Sequence, residues 1–191
     1  LPIIMSLLEL WYRNLRDSQT HAILPYCYDL RSFPTYLQQL AMESNGKSVR
    51  STGEISGQHT APVIWGRDGI NGQHSFYQFL HQGTVLCPVD FILPLSSIDS
   101  ETSQHKKVIS HCLAQARILV MGRTLEESYQ ALIDRGLSKE DASNLAPHLR
   151  MPGDRPSSII SFESLNPKTL GSLLALYEHK TYFSARLWGI N

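Results

Sequence analysis

The chain has 191 residues, of which 42% are hydrophobic and 18% are charged, a composition typical of one globular domain with a sizeable core. Its 17 basic and 17 acidic residues cancel, which excludes the broad positive surface by which proteins bind nucleic acids or anionic membranes. The three widely spaced cysteines and the short apolar runs exclude a disulfide framework, a zinc knuckle and a membrane span, and favour a cytoplasmic protein.

The first third of the chain predicts two helices, one strand and a loop. Helical periodicity covers residues 1–16, and the compact apolar run 20–27 predicts a buried strand. A second helix is expected over residues 32–47, with Pro34 near its start and Asn45-Gly46 as its stop signal. The polar, turn-rich residues 47–61 predict a loop.

In the rest of the chain, predicted strands alternate with predicted helices. The expected elements are a strand over 62–66, a glycine-rich turn over 67–72, a helix over 73–83, a strand over 84–95, helices over 103–122, 124–136 and 138–149, a strand over 157–163, and a long helix over 166–191 that starts with Asn-Pro. This alternation predicts an α/β fold with a mainly parallel sheet flanked by helices. Ligands of such sheets bind beyond the carboxyl ends of the strands.

Glu43 occupies an unusual place for a carboxylate. It lies near the end of an apolar helix, where the helix dipole favours a cation instead. Gln39 precedes it by four residues, so both side chains project from one face of a helix. The pair is either a solvated polar stripe or a carboxylate base beside an amide, and the spacing alone does not decide.

His74 is expected to open the helix that follows Asp-Gly-Ile-Asn-Gly. Histidine exchanges protons readily near pH 7, so His74 is either a proton-transfer residue or a capping and packing residue. His81, one heptad later, is expected to be structural. The other histidines lack the spacing of a metal site, and no metal is expected.

Taken together, the motifs resemble the second half of the glucose-6-phosphate isomerase family. The segments that carry the resemblance are "LQQLAMESNGK", "PVIWG", "GINGQHSFYQFLHQGT", "PVDFILP" and "LGSLLALYEHKTYF". They occur in the order and spacing of that family and cover the chain from about residue 7 to residue 191. The resemblance implies a SIS-type (sugar isomerase) domain, with residues 1–191 as the C-terminal SIS-type domain of such an enzyme, without its N-terminal SIS domain and its extreme C-terminal segment.

The resemblance also implies an activity. The family interconverts glucose 6-phosphate and fructose 6-phosphate through a cis-enediol, in glycolysis and gluconeogenesis. Its catalytic base falls on Glu43, its substrate-binding amide falls on Gln39, and the histidine that assists ring opening, contributed by the partner subunit, falls on His74. A cytoplasmic homodimer with shared active sites is therefore expected, with no metal or organic cofactor and no nucleic acid or membrane partner.

Two departures from the family pattern bear on this expectation. Arg67-Asp68-Gly69-Ile70 stands where the family usually has Glu-Pro-Gly-Thr. The family's phosphate-binding loops and its terminal catalytic lysine are not among these residues, so the isolated chain is expected to be inactive. The alternative is a non-catalytic sugar-phosphate-binding or dimerisation module of SIS type, and the presence of both Glu43 and His74 favours the enzyme.

Overall fold

The sheet determines how the rest of the chain is arranged. The computed structural model describes residues 1–96 and 102–191, and these residues form one four-stranded sheet in the order β2-β1-β3-β4. Every neighbouring pair of strands is parallel. The strands are β1 (Thr20–Pro25), β2 (Val63–Trp65), β3 (Val89–Pro94) and β4 (Ser157–Phe162). The predicted fold class, an α/β domain with a mainly parallel sheet, is therefore confirmed.

Helices of very different lengths connect the strands. They are α1 (Pro2–Leu10), α2 (Phe33–Leu37), α3 (Gly69–Gly72), α4 (Tyr77–Gln82), α5 (Thr102–Met121), α6 (Leu125–Asp134), α7 (Lys139–Leu149) and α8 (Pro167–Trp188). Two of them continue into π-helical segments, which we call the first π-turn (Trp11–Leu15) and the second π-turn (Gln38–Glu43). A 3₁₀ turn covers Tyr28–Leu30.

The long helix α8 begins as its sequence predicts but ends at Trp188, before the predicted end at residue 191. The side chain of Asn166 accepts a hydrogen bond from the backbone N–H of Thr169, and the Thr169 hydroxyl bonds back to the N–H of Asn166. Pro167 fills the first helical position, where a missing N–H costs nothing. Gly189 closes the helix in the left-handed conformation, with φ of 68°.

The sheet is covered on both faces because its central strands are apolar on both sides. Ala22, Ile23 and Leu24 of β1 are fully buried, and successive side chains point to opposite faces. Leu24 packs in a core cluster with Tyr77 and Leu80 of α4 and with residues of α5. Ile23 packs on the other face, in a cluster with residues of α1, α2 and α8.

A buried ion pair and a buried contact between a histidine and a carboxylate lie where α1 and α8 meet the sheet. Lys180 Nζ in α8 is 2.7 Å from Glu9 Oε1 in α1, and each side chain is only 5% exposed. The Ser184 hydroxyl donates to the other oxygen of Glu9 over 2.5 Å. Beside this pair, His21 Nε2 in β1 is 3.2 Å from Asp90 Oδ2 in β3. That separation is an ion-pair distance, but the ring nitrogen is not oriented to make a hydrogen bond.

The surroundings of Asp90 lower its pKa. Burial by itself raises the pKa of this carboxyl, but His21, Lys180 and the hydroxyl of Tyr177 together outweigh burial and bring it to about 2. The Tyr177 hydroxyl donates to Asp90 Oδ2 over 3.0 Å. Asp90 therefore links α8 to the centre of the sheet as a carboxylate.

Two further helix predictions need correction, and the strand predicted over 84–95 begins only at Val89. The helix predicted over 32–47 is α2 followed by the second π-turn, and helical structure ends at Asn45. The helix predicted over 73–83 begins only at Tyr77, because the Asp68 carboxylate caps an earlier helical turn, α3, within the segment predicted as a glycine-rich turn. Residues 73–76 form a turn. The helices predicted over 103–122, 124–136 and 138–149 agree with α5, α6 and α7.

Candidate active site

Glu43 and Gln39 lie on the second π-turn, and both side chains are exposed. In a π-helical segment, each backbone hydrogen bond joins residues five apart. The side chains of Gln39 and Glu43, four residues apart, are therefore separated by nearly one turn. π-Helical segments are rare and often occur at functional sites. The structure thus presents an amide and a carboxylate together to solvent from one helical segment.

The residues around Glu43 are fixed although Glu43 itself is exposed. The Sδ of Met42 accepts a hydrogen bond from the backbone N–H of Ile64 in β2 at 3.4 Å. Asn45 is buried, and its Nδ2 donates to the carbonyl of Thr181 in α8 over 2.9 Å. The helical segment that carries the carboxylate is therefore attached both to the sheet and to α8.

Gly46 closes the helix without a left-handed conformation. Its N–H donates to the carbonyl of Met42 over 2.9 Å, and a Cβ at this position would lie 2.4 Å from that same oxygen. Any other residue would push the carbonyl away and open the last turn. The stop signal predicted at Asn45-Gly46 is correct, and close approach of the backbone is its cause.

The loop after the helix wraps around the carboxyl end of α8. Val49 and Ile55 form an isolated antiparallel bridge, and the N–H of Ser51 donates to the carbonyl of Gly189 over 2.9 Å. Lys47 contacts the carbonyl of Asn191. The predicted loop over 47–61 is thus a loop in the structure, closed by one short bridge.

His74 is exposed in the turn between α3 and α4, and it does not open a helix as predicted. Its backbone N–H donates to the carbonyl of Asn71 over 3.1 Å. The turn is held from inside by Tyr26, whose hydroxyl lies 2.9 Å from the Tyr77 hydroxyl and accepts from Gln73 Nε2 at 3.2 Å. The imidazole of His74 therefore lies on a turn that hydrogen bonds to Tyr26 hold in place.

The residues that replace the family's Glu-Pro-Gly-Thr have local structural roles. The Asp68 side chain accepts a hydrogen bond from the N–H of Asn71 over 3.0 Å and so caps α3. Arg67 Nε lies 3.8 Å from Asp68 Oδ2, and its Nη1 donates to the Ser75 hydroxyl at 3.4 Å. A Cβ on Gly69 would lie 2.1 Å from the ring of Tyr26. This sequence thus forms a capped and tightly packed turn next to His74.

Glu43 and His74 belong to different ends of the fold. The carbonyl of Asn45 is 3.4 Å from the N–H of Ala61, just before β2 begins, so Glu43 lies toward the amino ends of the strands. His74 follows the carboxyl end of β2. Within residues 1–96 and 102–191, no hydrogen bond or ion pair joins segment 39–46 to turn 67–76. Ligands are expected beyond the carboxyl ends of the strands. His74 lies at that end of the sheet, and Glu43 does not.

His81, which is predicted to be structural, and two of the three cysteines are buried. His81 Nε2 is 2.7 Å from Gln115 Oε1, and burial lowers the pKa of this histidine. Burial raises the pKa of the Cys112 thiol to about 12 and also raises the pKa of Cys87. In the described part of the chain, no three His, Cys, Asp or Glu side chains are grouped so that they could hold a metal ion. Among those same residues, no helix is both long and apolar enough to cross a membrane.

Sequence reasoning missed the inward orientation of Asn45. The sequence indicates only a helix stop signal at this residue. It follows the buried Leu37 by eight residues, a spacing that returns to the same helix face after about two turns. Helical periodicity could therefore have placed the Asn45 side chain against the core.

Comparison with known proteins gives one consistent result over the whole chain. The sequence model of the family described as "Phosphoglucose isomerase" matches residues 1–191. The chain is 46% identical over all its 191 residues to glucose-6-phosphate isomerase of Pseudoalteromonas atlantica and 48% identical to that of Ectopseudomonas mendocina. It covers 35% and 34% of those two proteins, about a third of their length.

Solved structures agree with the sequence comparison. A crystal structure of a glucose-6-phosphate isomerase from Chlamydia trachomatis matches the whole chain with a TM-score of 0.86 and 40% identity, and the match covers 34% of that protein. A hypothetical protein from Thermus thermophilus, TT0462, shares the fold with a TM-score of 0.67 at 16% identity.

Proposed function

Because the chain belongs to the phosphoglucose isomerase family, we propose that it supplies the catalytic base of an enzyme that interconverts glucose 6-phosphate and fructose 6-phosphate. Glu43 is that base, Gln39 binds substrate beside it, and His74 assists opening of the sugar ring. The observation that carries the proposal is the exposed Glu43 carboxylate, held between Met42 and Asn45, two residues that are fixed to the sheet and to α8.

The chemistry needs one carboxylate that can reach two adjacent carbons. In the aldose-to-ketose direction, Glu43 takes the proton from C2, and the electron pair of that C–H bond forms the C1–C2 double bond while O1 takes up a proton. The product of this step is the cis-enediol. Return of the proton from Glu43 to C1 and release of the proton on O2 give the ketose. The overall reaction consumes nothing, so the protein's own acid and base groups suffice.

Ring opening precedes this proton transfer when the substrate is a cyclic sugar phosphate. It requires a proton to reach the ring oxygen and another to leave the anomeric hydroxyl, which an exposed imidazole can exchange near neutral pH. His74 is exposed on a turn held by Tyr26 and Asp68. Its position beyond the carboxyl end of β2, away from Glu43, supports an active site shared between two subunits, with Glu43 from one and His74 from the other.

The cellular setting follows from the same proposal. The three cysteines Cys27, Cys87 and Cys112 are free thiols, as is usual in a reducing compartment, which supports a cytoplasmic enzyme of glycolysis and gluconeogenesis. The chain spans about a third of the length of these relatives, and we place the phosphate-binding groups and the remaining acid–base residues of the active site outside it.

The test is the Glu43→Gln variant in a full-length enzyme that carries this segment. Glutamine keeps the shape and hydrogen-bonding capacity of the side chain but cannot accept a proton from carbon. Turnover of fructose 6-phosphate in a coupled assay should fall by at least about a hundredfold, the loss expected for general acid–base catalysis, while binding of the sugar phosphate persists. If more than about a hundredth of the parental turnover remained, Glu43 would not be the base. If neither the parent nor the variant turned over fructose 6-phosphate, a non-catalytic sugar-phosphate-binding module would be favoured instead.

A further inference from the structure

We infer that Asn45 is a positioning residue that fixes the Glu43 carboxylate for proton transfer, an assignment that rests on the proposed function of Glu43. Asn45 follows Glu43 by two residues, is 3% exposed, and is the last helical residue of the segment. Its side chain does not reach solvent beside Glu43, so it acts through the backbone that the two residues share.

The Asn45 side chain makes one specific long-range contact. Its Nδ2 donates to the carbonyl of Thr181, which is 136 residues away in α8. The Thr181 carbonyl lies inside a helix and keeps its place in the helical hydrogen-bond ladder, so α8 does not need the contact in order to form. The contact therefore determines where the end of the Glu43 segment lies relative to α8.

The hydrogen-bond balance at Asn45 indicates a role other than stability. The buried Oδ1 of Asn45 accepts no hydrogen bond from the described residues. An unpaired buried acceptor costs at least as much as one neutral hydrogen bond contributes, so the Asn45 amide brings no net gain in stability at this position. Leucine has a similar branched shape without polar atoms, and it should fill the site at least as stably.

The geometry on the other side of Glu43 makes the Asn45 contact decisive. Met42 attaches the segment to β2 through a single 3.4 Å contact between its Sδ and the N–H of Ile64. Gly46 links the segment to its own preceding turn through the carbonyl of Met42, and the backbone carbonyl of Asn45 makes a long contact of 3.4 Å with the N–H of Ala61. Without the contact of the Asn45 side chain, these two long contacts of 3.4 Å remain, and the turn that carries Glu43 can shift relative to α8. A displacement of 1 Å in a reacting group is enough to cost about a hundredfold in rate.

Displacement of Glu43 should change how much deuterium enters the product when the reaction runs in D₂O. While Glu43 holds the proton taken from C2, that proton is either returned to C1 or exchanged with solvent. A shifted segment delays the return, so more solvent hydrogen enters the product in each turnover. The amount of deuterium incorporated per product formed in D₂O does not depend on the fraction of enzyme that is folded. It therefore separates loss of positioning from loss of structure.

The experiment compares Asn45→Leu and Asn45→Ser with the control Thr60→Val in a full-length enzyme that carries this segment. Thr60 hydrogen-bonds the carbonyl of Lys47 from the loop beside the site, and valine preserves its shape. We expect the Asn45 variants to lose at least about tenfold in kcat, with KM changed less than about threefold and with more deuterium per turnover. The thermal midpoint of Asn45→Leu should not fall, and Thr60→Val should match the parent in every measurement.

The inference is overturned if the Asn45 variants keep kcat within about twofold of the parent, or if they lose activity with unchanged deuterium per turnover. The Glu43→Gln variant in the same series separates the two proposals. An inactive Glu43→Gln beside a normal Asn45→Leu removes only the positioning role. An active Glu43→Gln removes the proposed base, and the positioning role with it.

Discussion

Replacing Lys180 with methionine should lower the free energy of unfolding of this chain by about 3–5 kcal/mol. Methionine retains the apolar stem of lysine but leaves Glu9 buried, 5% exposed, without its cation. Most domains have only about 5–15 kcal/mol of total stability, so this loss is a large share. For a domain of this size it corresponds to a fall in Tm of about 6–20 °C, measurable by thermal unfolding and by urea titration.

Two controls make the result interpretable. The double variant Glu9→Leu, Lys180→Met removes both charges and should recover most of the lost stability, because a buried ion pair replaced by apolar residues of similar size is often neutral or stabilising. Arg16→Met breaks the exposed pair with Asp154, whose side chain is 91% exposed, and should cost less than about 1 kcal/mol. A loss below about 1 kcal/mol for Lys180→Met, or no recovery in the double variant, would refute the reasoning.

Three further predictions follow from other parts of the fold. In the folded protein the pKa of Asp90 is about 2, below the ordinary 3.8, so this carboxylate contributes about 2 kcal/mol to stability above about pH 4 and loses that contribution as pH falls toward 2. In the Asp90→Asn variant, the urea concentration at the unfolding midpoint should therefore vary less with pH over that range. Gly66→Ala should destabilise the fold by about 3 kcal/mol or more, because the backbone φ there is 149° and a Cβ would lie 2.0 Å from the carbonyl of Ile23. Gly171 lies in open space on α8, so Gly171→Ala should stabilise the fold by about 0.5–1 kcal/mol in the same urea titration. His74→Ala in the full-length enzyme should slow turnover of the cyclic sugar phosphate strongly and affect hydrogen exchange on an open-chain analogue less; equal losses in both assays would contradict a ring-opening role.

The elements that sequence alone predicted well are those with strong local signals. The apolar runs of β1 and β3 are central strands because a parallel sheet buries both faces of its inner strands. Asn166-Pro167 predicts the start of α8, since the cap and the fixed φ of proline act within one turn. The α/β alternation then follows from the spacing of these elements along the chain.

The elements that sequence did not predict depend on distant contacts. Glu9 and Lys180 are 171 residues apart, and only the docking of α1 on α8 brings them together. The second π-turn has no marker in the local periodicity, which fits an ordinary helix. The start of α4 was predicted too early because Asp68, four residues before Gly72, already caps a separate helical turn. Glu43 and Gln39 lie on one helical segment, as their spacing suggests, but that segment is π-helical.

Among the described residues, the two edges of the sheet are unequal, and this has a consequence for the behaviour of the isolated chain at high concentration. The edge strand β2 pairs over only three residues and follows directly after Pro62, which has no N–H to donate. The edge strand β4 pairs over six residues and includes Ile159, which is 40% exposed. Strand addition between molecules uses the free backbone groups of a long, apolar edge. When this chain is studied by itself, aggregation should therefore begin at β4, and Ile159→Lys should suppress it.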